Sequence, residues 1–191
     1  MDPLTDVRQI SSIAYGIIES KSLLGGADSM NALNIRNATP PDVPVLACLI
    51  AGFRDHLNAK VPTDSDIRAH LPRALDDPGI EFGCAWLRGE AVGYTQTRFL
   101  TSVWAAGLEA HLEDLFVVPA ARRQSIGRCL LRHALARAEA RGAHMFSLNT
   151  NEQNESAHSL YRSEGLAPVS HALYPGGREV LWSRSLDVGA T

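Results

Sequence analysis

The alternation of strand-like and helix-like spacing along residues 80–186 restricts the fold of this chain more than any other feature. Residues 80–87 and 90–100 are two strand-like segments joined by a tight turn, which predicts a β-hairpin. The segments that follow alternate in type, in the order strand 108–118, helix 126–141, strand 143–150, helix 154–164 and strand 178–186. A hairpin followed by this alternation predicts an α/β fold with a mixed sheet.

Three segments ahead of the hairpin belong to the same predicted domain. Residues 33–39, 43–53 and 62–75 have the spacing of a short strand and two helices. The chain has 191 residues, of which 45% are hydrophobic and 20% are charged, as expected for one soluble domain with an extension. We expect that domain to cover residues 34–191.

Residues 1–33 have a different character from the rest of the chain. Their apolar side chains recur at helical spacing, at Val7, Ile10, Ala14, Ile17 and Ile18, and a pair of glycines then ends the pattern. We therefore predict an N-terminal extension over residues 1–33 that is helical. An open alternative is that translation begins at Met30, just before the first strand-like segment.

Charge and cysteine content argue against several classes of function. The net charge of −3 gives no general attraction to nucleic acid, so we expect no nucleic-acid partner. Cys48, Cys84 and Cys129 lie far apart and predict neither a disulfide framework nor paired metal ligands. The seven histidines show no metal-ligand spacing. We expect a cytoplasmic protein without a metal ion.

The sequence also argues against membrane attachment. The longest apolar run, residues 43–53, has about half the length that spans a bilayer. Asp2 and Asp6 stand where a secretory signal peptide carries basic residues. We therefore expect no membrane partner.

The stretch ARRQSIGRCLL, residues 121–131, gathers Arg122, Arg123 and Arg128 at the start of a predicted helix. Because a helix N-terminus is the positive end of the helix dipole, cations are unfavourable there unless an anion lies between them. The first-turn N–H groups and the arginines together suit a pyrophosphate. The alternative is a solvated basic surface. Neither GxxxxGK[ST] nor GxGxxG occurs here, so the stretch is not one of those phosphate-binding loops.

Two stretches, LEDLFVVPAARRQSIGRCLL and NEQNESAHSLYRSEGL, resemble the GNAT superfamily of acetyl-CoA-dependent N-acetyltransferases. The resemblance covers roughly residues 34–186. It implies an α/β fold with a mixed, mostly antiparallel sheet of six to seven strands that is flanked by helices and splayed at its centre. It also implies acetyl-CoA as cosubstrate.

In the resembling family, a short turn receives the pyrophosphate of the coenzyme. The residues that match this turn are Arg122, Arg123, Gln124, Ser125, Ile126 and Gly127, with Arg128 beside them. Ser125 stands where the family has its first glycine. A Cβ atom there would crowd the phosphate, whereas the hydroxyl would donate a hydrogen bond to it. We expect the net effect to be a somewhat weaker affinity for the coenzyme.

The strand before this turn and the helix after the next strand supply the other coenzyme contacts that the resemblance implies. The backbone of Leu115, Phe116 and Val117 would bond the amide groups of the pantetheine arm. This requires a sheet that is open at this edge. The alternative is a buried strand with partners on both sides. Asn154 is expected to cap its helix, to bind the coenzyme, or both.

Tyr161 is the acid that the resemblance suggests, because similar enzymes place a tyrosine beside the sulfur of the coenzyme. A phenol with a pKa near 10 can donate its proton or a hydrogen bond to a departing thiolate with a pKa near 8.5. The alternative is an aromatic side chain that only packs against Ala157 and Leu160.

Glu113 is the suggested base, since it matches a glutamate of an "ED" pair in similar polyamine acetyltransferases. Moving a proton from an ammonium near pKa 10 to an ordinary glutamate near 4.3 costs about 8 kcal/mol, which favours a water relay or simple attraction of the cationic amine. The alternative is a carboxylate paired with a nearby arginine. Strand alternation places Glu113 and Asp114 on opposite faces of the sheet unless a bulge intervenes.

The activity that follows is transfer of an acetyl group from acetyl-CoA to a primary amine of a small molecule or peptide, by direct attack. The alternative is a non-catalytic acyl-CoA-binding sensor or partner module of the same fold. The expected acceptor pocket involves Arg54, Asp55, His56, Trp104, Glu109 and His111, with Trp104 packed within its loop. A homodimer formed through the C-terminal strands, with a contribution from Trp182, is a further expectation.

Overall fold

The computed structural model describes residues 33–174 and 177–186, so the predicted helical extension lies outside the described residues apart from Leu33. The described helices are α1 (Val43–His56), α2 (Asp64–Asp76), α3 (Ile126–Ala140) and α4 (Glu155–Ser163). The strands are β1 (Leu33–Asn37), β2 (Ile80–Leu87), β3 (Glu90–Ser102), β4 (Gly107–Val117), β5 (Ala143–Asn151), β6 (Ala167–Tyr174) and β7 (Gly177–Ser185).

Within the described residues, these strands form one seven-stranded sheet in the order β1-β2-β3-β4-β5-β7-β6. Neighbouring strands are antiparallel everywhere except between β4 and β5, which are parallel. Helix α3 connects these two strands, as a parallel crossover requires. The predicted α/β class and the mixed, mostly antiparallel sheet are confirmed.

Helices cover both faces of the sheet. On one face, α1 and α2 pack against alternate residues of the strands, so that Leu46 and Ile67 share a buried cluster with Cys84. On the other face, the neighbouring residue Ala85 packs with Leu130 of α3. Because both faces are covered, β2 is apolar along most of its length instead of alternating between apolar and polar residues.

The start of α1 is fixed to β1 by a buried carboxylate. Arg36 donates two hydrogen bonds to Asp42, at 2.7 and 2.8 Å, and Thr39 donates to the same carboxylate from its backbone and its hydroxyl. The bonds from Arg36, with those from Thr39, hold the pKa of Asp42 well below its usual range. Helix α2 begins at a capping box, in which Thr63 and Asp66 bond each other's backbone N–H groups.

The sequence pattern missed one strand and misplaced one side chain. Strand β6 was not predicted, because Pro168 interrupts its pattern beside a register shift, which an edge strand tolerates. Trp182 is only 1% exposed, so it is a core residue and cannot contribute to a dimer surface. The homodimer itself stays a prediction. None of the helices described between residues 33 and 186 has the length and apolarity to cross a bilayer.

Strands β4 and β5 separate part-way along their length. Their parallel ladder runs from Leu108 to Leu112 on β4 and ends opposite Leu148 on β5. Beyond it, residues 114–117 stay paired with β3, while residues 149–151 stay paired with β7. One edge of β4 is therefore open at the centre of the sheet, which confirms the predicted splay.

Gly93 lies on β3 opposite Val117, in the open part of β4. A Cβ atom at this position would lie 2.6 Å from the Phe116 carbonyl oxygen and 3.1 Å from Leu130 Cδ1. We predict that Gly93→Ala lowers the free energy of unfolding by about 1–3 kcal/mol, because backbone atoms must shift to make room. Urea unfolding followed by circular dichroism measures this change.

Gly52 provides the matched control, because it lies within α1 and a Cβ atom there would meet the Phe116 ring only at 3.7 Å. Gly52→Ala should raise the free energy of unfolding by about 0.5–1 kcal/mol through helix propensity. Equal effects of the two substitutions would contradict the close approach at Gly93.

Candidate active site

A cavity of about 720 Å³ occupies the gap between the separated ends of β4 and β5. Its walls come from both strands, from the start of α3 and from α4. Every residue that the sequence singled out for coenzyme binding or catalysis lines this cavity, except Gln124. The topology therefore brings together residues that lie up to 48 positions apart in the sequence, from Glu113 to Tyr161.

The open edge of β4 is held by side chains that point to both faces. Phe116 is buried on the α1 side, where its ring centroid lies 5.4 Å from that of Phe53. Leu115 and Val117 are half-buried on the α3 side, next to Gly127. The structure has the open edge that the sequence analysis expected and not the alternative of a strand paired on both sides, because the ladder with β5 ends at Leu112.

The loop before α3 has a strained backbone. Arg123 and Ser125 both adopt positive φ angles, of 65° and 61°. The left-handed region favours glycine, which gives a physical reason for the family's glycine at the position of Ser125. The first helical hydrogen bond of α3 joins the Cys129 N–H to the Ser125 carbonyl, so the preceding N–H groups have no acceptor within the helix.

Two of the three arginines near this loop contact other protein groups. Arg122 donates from Nε to the Val117 carbonyl at 3.0 Å, which joins the loop to the open end of β4. Arg128 Nε lies 3.4 Å from Glu164 Oε1. Arg132 bonds the other oxygen of Glu164 at 2.8 Å, so this carboxylate keeps a partner if Arg128 turns towards a ligand.

Tyr161 is buried and also lines the cavity. Its side chain is 6% exposed, and its ring packs edge-on against Trp182 with centroids 5.9 Å apart. Burial raises the pKa of Tyr161 to about 12, partly offset by a hydrogen bond with Thr150. Complete proton transfer to a thiolate near 8.5 would then cost about 5 kcal/mol, which makes this phenol a hydrogen-bond donor more than an acid.

Glu113 is the extra residue of a β-bulge. Gln96 pairs with Asp114 and Thr97 with Leu112, so Glu113 has no direct partner on β3. The carboxylate accepts a hydrogen bond from Gln96 Nε2 at 2.7 Å and pairs with Arg98 Nη1 at 3.1 Å. The predicted alternative of a carboxylate paired with an arginine is therefore present in the structure.

The bulge also changes where Asp114 points. Tyr94 donates its hydroxyl to Asp114 at 3.0 Å, on the α1 side of the sheet, and burial raises the pKa of Asp114. Glu113 bonds Gln96 and Arg98, which alternate with Tyr94 on that same face of β3. The two acidic residues thus share one face, which regular alternation excludes.

A chain of hydrogen bonds crosses from β4 to β5 next to the end of the cavity. His111 Nδ1 lies 2.8 Å from Ser147 Oγ, and Ser147 donates to Glu109 Oε1 at 2.6 Å. Ser147 is 1% exposed, and burial lowers the pKa of the half-buried His111. The sequence indicated Glu109 and His111 only as pocket residues, because the parallel register that brings Ser147 between them is not visible in it.

The other expected acceptor residues have different surroundings. Arg54 bonds Asp55 and Asp64, both at 2.7 Å, and so ties α1 to the start of α2. His56 lines the cavity. Trp104 is 96% exposed at the β3–β4 turn, so the expectation that it packs within its loop is wrong. Within the part of the chain that the structure describes, no group of three or more histidine, cysteine or acidic residues could hold a metal ion.

The family model described as the acetyltransferase (GNAT) family matches residues 50–166, which include the bulge, the strained loop and Tyr161. The chain belongs to the GNAT acetyltransferase family. The resemblance inferred from the two motifs is confirmed, and this GNAT protein is an N-acetyltransferase.

Two curated relatives align with most of the chain. The aminoalkylphosphonate N-acetyltransferase of Salmonella typhimurium is 29% identical over 139 residues, which cover 72% of this chain and 87% of that protein. The uncharacterized N-acetyltransferase YhfO of Bacillus subtilis is 32% identical over 136 residues, which cover 70% of this chain and 89% of that protein.

Solved structures share the fold at lower identity. The ribosomal-protein-alanine N-acetyltransferase of Brucella melitensis is 21% identical with a TM-score of 0.67, covering 80% of this chain and 99% of that chain. Arabidopsis thaliana Naa50 in complex with the bisubstrate analogue CoA-Ac-MVNAL is 16% identical with a TM-score of 0.62. The match covers 81% of this chain and 99% of that chain.

The left-handed backbone of Ser125 makes a measurable prediction about stability. We expect Ser125→Gly to raise the free energy of unfolding by about 0.5–1 kcal/mol, because relief of about 1–2 kcal/mol of strain exceeds the entropy cost of glycine. Ser125→Ala, which keeps the Cβ atom, should give no such gain. Chemical denaturation of both variants separates the effect of the backbone conformation from the effect of the hydroxyl. Equal changes in the free energy of unfolding for the two variants would contradict the backbone strain at Ser125.

Proposed function

We propose that this GNAT protein transfers the acetyl group of acetyl-CoA to the primary amine of a small molecule or peptide, by direct attack of the amine. The main support is the open edge of β4, which leads at one end into the loop Arg122–Gly127 and faces Tyr161 across the same cavity. One elongated ligand can therefore contact a strand edge, a helix N-terminus and a phenol in turn.

The residues along this edge fit the parts of acetyl-CoA. The backbone of Leu115, Phe116 and Val117 offers strand-like hydrogen bonds to the amides of the pantetheine arm. The pyrophosphate would lie against the first-turn N–H groups of α3, where the helix dipole and the arginines favour an anion. Arg122 uses only Nε–H in its bond to Val117, and its two terminal NH₂ groups remain donors for a phosphate. A Cβ atom at Gly127 would meet its nearest protein neighbours only at 3.8–3.9 Å, so the surrounding side chains do not crowd this position.

Direct attack is favoured over a cysteine-linked intermediate. None of the three cysteines lines the cavity. Burial raises the pKa of Cys84 to about 12, so this thiol is protonated at neutral pH.

Tyr161 and Glu113 have different tasks in the proposed reaction. Acetyl-CoA supplies the acetyl group as an activated thioester. Tyr161 donates a hydrogen bond to the sulfur as its bond to the acetyl carbon breaks, which stabilises the charge that develops there. Glu113, held by Gln96 and Arg98 at the edge of the cavity, attracts the cationic amine.

The pair formed by Arg98 and Glu113 also suggests an acceptor class. A carboxylate and a guanidinium 3.1 Å apart can bind an ammonium and an anion of the same small molecule. The Salmonella relative is named for aminoalkylphosphonates, which carry both groups. We propose a short amine with an anionic group as the preferred acceptor.

Calorimetry tests the coenzyme site directly. Arg122→Ala should weaken acetyl-CoA binding by about 10- to 100-fold, the usual effect of losing a charge-assisted hydrogen bond. Arg68→Ala, on the exposed face of α2, is the matched control and should leave affinity unchanged. No heat of binding to the wild type at millimolar acetyl-CoA would refute the proposal.

Release of free thiol from acetyl-CoA tests turnover and the acceptor class. The amine panel contains 2-aminoethylphosphonate, spermidine, an aminoglycoside and a peptide with a free N-terminus. We expect the highest kcat/KM with 2-aminoethylphosphonate, and a lower kcat in Tyr161→Phe with the affinity for acetyl-CoA retained. Tight binding without thiol release on any amine would instead support the non-catalytic module.

A further inference from the structure

The hydrogen bonds around Ser147 fix the position of a proton on His111. An ionised carboxylate only accepts hydrogen bonds, so the single hydroxyl proton of Ser147 must point to Glu109. The Ser147 oxygen can then only accept from His111, which places the imidazole proton on Nδ1. In the neutral ring, Nε2 is therefore left with a lone pair that can take up a proton.

His111 lies beside the end of the cavity. Leu112 and Glu113 of β4, and Leu148 and Asn149 of β5, line the cavity, and each of these pairs follows His111 or Ser147 directly. In the sheet register, Arg98, His111 and Ser147 form one row across β3, β4 and β5. Regular alternation places this row on the α1 side, the side from which the acceptor is expected to approach.

Glu113, the base suggested by the sequence, is less suited to removing a proton. Both of its oxygens already accept hydrogen bonds, from Gln96 and Arg98. An ordinary imidazole, with a pKa near 6.5, is also closer to an ammonium near 10 than an ordinary carboxylate near 4.3 is.

We propose that His111 is the catalytic base that takes a proton from the acceptor amine at Nε2, and that Ser147 and Glu109 are its positioning residues. This rests on the proposed direct attack on acetyl-CoA. It deepens that proposal, because it gives the two residues separate tasks. Glu113 attracts the cationic amine, and His111 removes its proton.

The protons and bonds balance as follows. The ammonium of the acceptor loses one proton to His111 Nε2, and the resulting imidazolium later releases it to solvent. The nitrogen lone pair forms the C–N bond, and the C–S bond breaks with its electron pair on sulfur. The nitrogen then loses a second proton and the sulfur gains one. The products are the N-acetyl amide, the free thiol of coenzyme A and one proton in solution.

The charges that face His111 come from β3 and β4. Glu109 and Glu113 favour the imidazolium, Arg98 opposes it, and burial opposes it most strongly. Burial therefore lowers the pKa of His111 below its ordinary value and keeps the ring neutral, as a base requires, at neutral pH. The α1-side neighbour on β5 is Ser147, which carries no charge.

The pH dependence of kcat/KM with 2-aminoethylphosphonate, or with the best amine of the panel, tests the proposal in the full chain. The wild type should show an acid limb with a midpoint below about 6.5. His111→Gln should abolish that limb and lower kcat/KM by about 10²- to 10⁴-fold, with acetyl-CoA affinity unchanged. His133→Gln is the matched control, since His133 is another half-buried histidine with a lowered pKa, bonded to Asn37 away from the cavity.

Two further variants separate positioning from mere packing. Glu109→Gln should move the acid limb to lower pH, because loss of a neighbouring negative charge lowers the pKa of the imidazole. Ser147→Ala should lower kcat while the KM for acetyl-CoA stays the same. An acid limb that survives in His111→Gln and disappears in Glu113→Gln would overturn the proposal in favour of Glu113.

Nitrogen-15 NMR of the histidine rings provides a readout that needs no acceptor. At about pH 7.5, His111 should carry its proton on Nδ1, with Nε2 unprotonated, and this tautomer should be lost in Ser147→Ala. A proton on Nε2 would overturn the proposal even in an active enzyme. If the wild type turns over none of the amines, the proposed function fails, and this measurement alone still decides whether His111 is poised as a base.

Discussion

The separation of β4 from β5 is the constraint on which the rest of the site depends. After Leu112 and Leu148, each strand keeps a partner on its outer side only, β3 for β4 and β7 for β5. A half-buried strand edge without a partner is costly, because its backbone polar groups lose hydrogen bonds. Buried side chains next to the open edge hold the two strands in place. Phe116 packs against α1, and Leu148 pairs with the buried Trp182. The fold thus maintains an open strand edge at the centre of the sheet, which the pantetheine arm occupies in the proposed function.

The two faces of the sheet contribute different chemistry to that place. On the α3 side lie the strained loop, the helix N-terminus and Tyr161, which suit a long anionic ligand with a leaving sulfur. On the α1 side, the bulge at Glu113 brings Glu113 and Asp114 to one face, next to the row that contains His111. A single inserted residue therefore changes which acidic groups face an incoming amine. In the proposed function, coenzyme and acceptor approach the same strand from different sides, and the bulge supplies the acidic groups on the acceptor side.

The sequence predicts the elements and the arginine-rich part of the cavity lining well, because both depend on local patterns. Hydrophobic spacing located six strands and four helices, and the arginine-rich turn stood out by its charge alone. It missed β6, where Pro168 interrupts the pattern, and it misjudged Trp104 and Trp182, whose exposure is decided by tertiary packing. It could not predict the partner of His111, because Ser147 lies 36 positions away and meets it only through the parallel register. Local features are readable from the chain, whereas register and bulges are properties of the assembled sheet.

The placement of positive charge at the start of α3 in an acidic chain also follows from these contacts. Arginines repelled by a helix dipole need a nearby anion. Glu164 at the end of α4 provides this anion for Arg128 and Arg132, and the Val117 carbonyl accepts a hydrogen bond from Arg122. Val117, Arg122 and Arg128 line the cavity that a diphosphate would enter in the proposed function. If Arg128 turns towards a ligand, Arg132 stays bonded to one oxygen of Glu164 at 2.8 Å, so the carboxylate keeps a cationic partner. Glu164 thus offsets part of the positive charge at the start of α3, through Arg128 and Arg132.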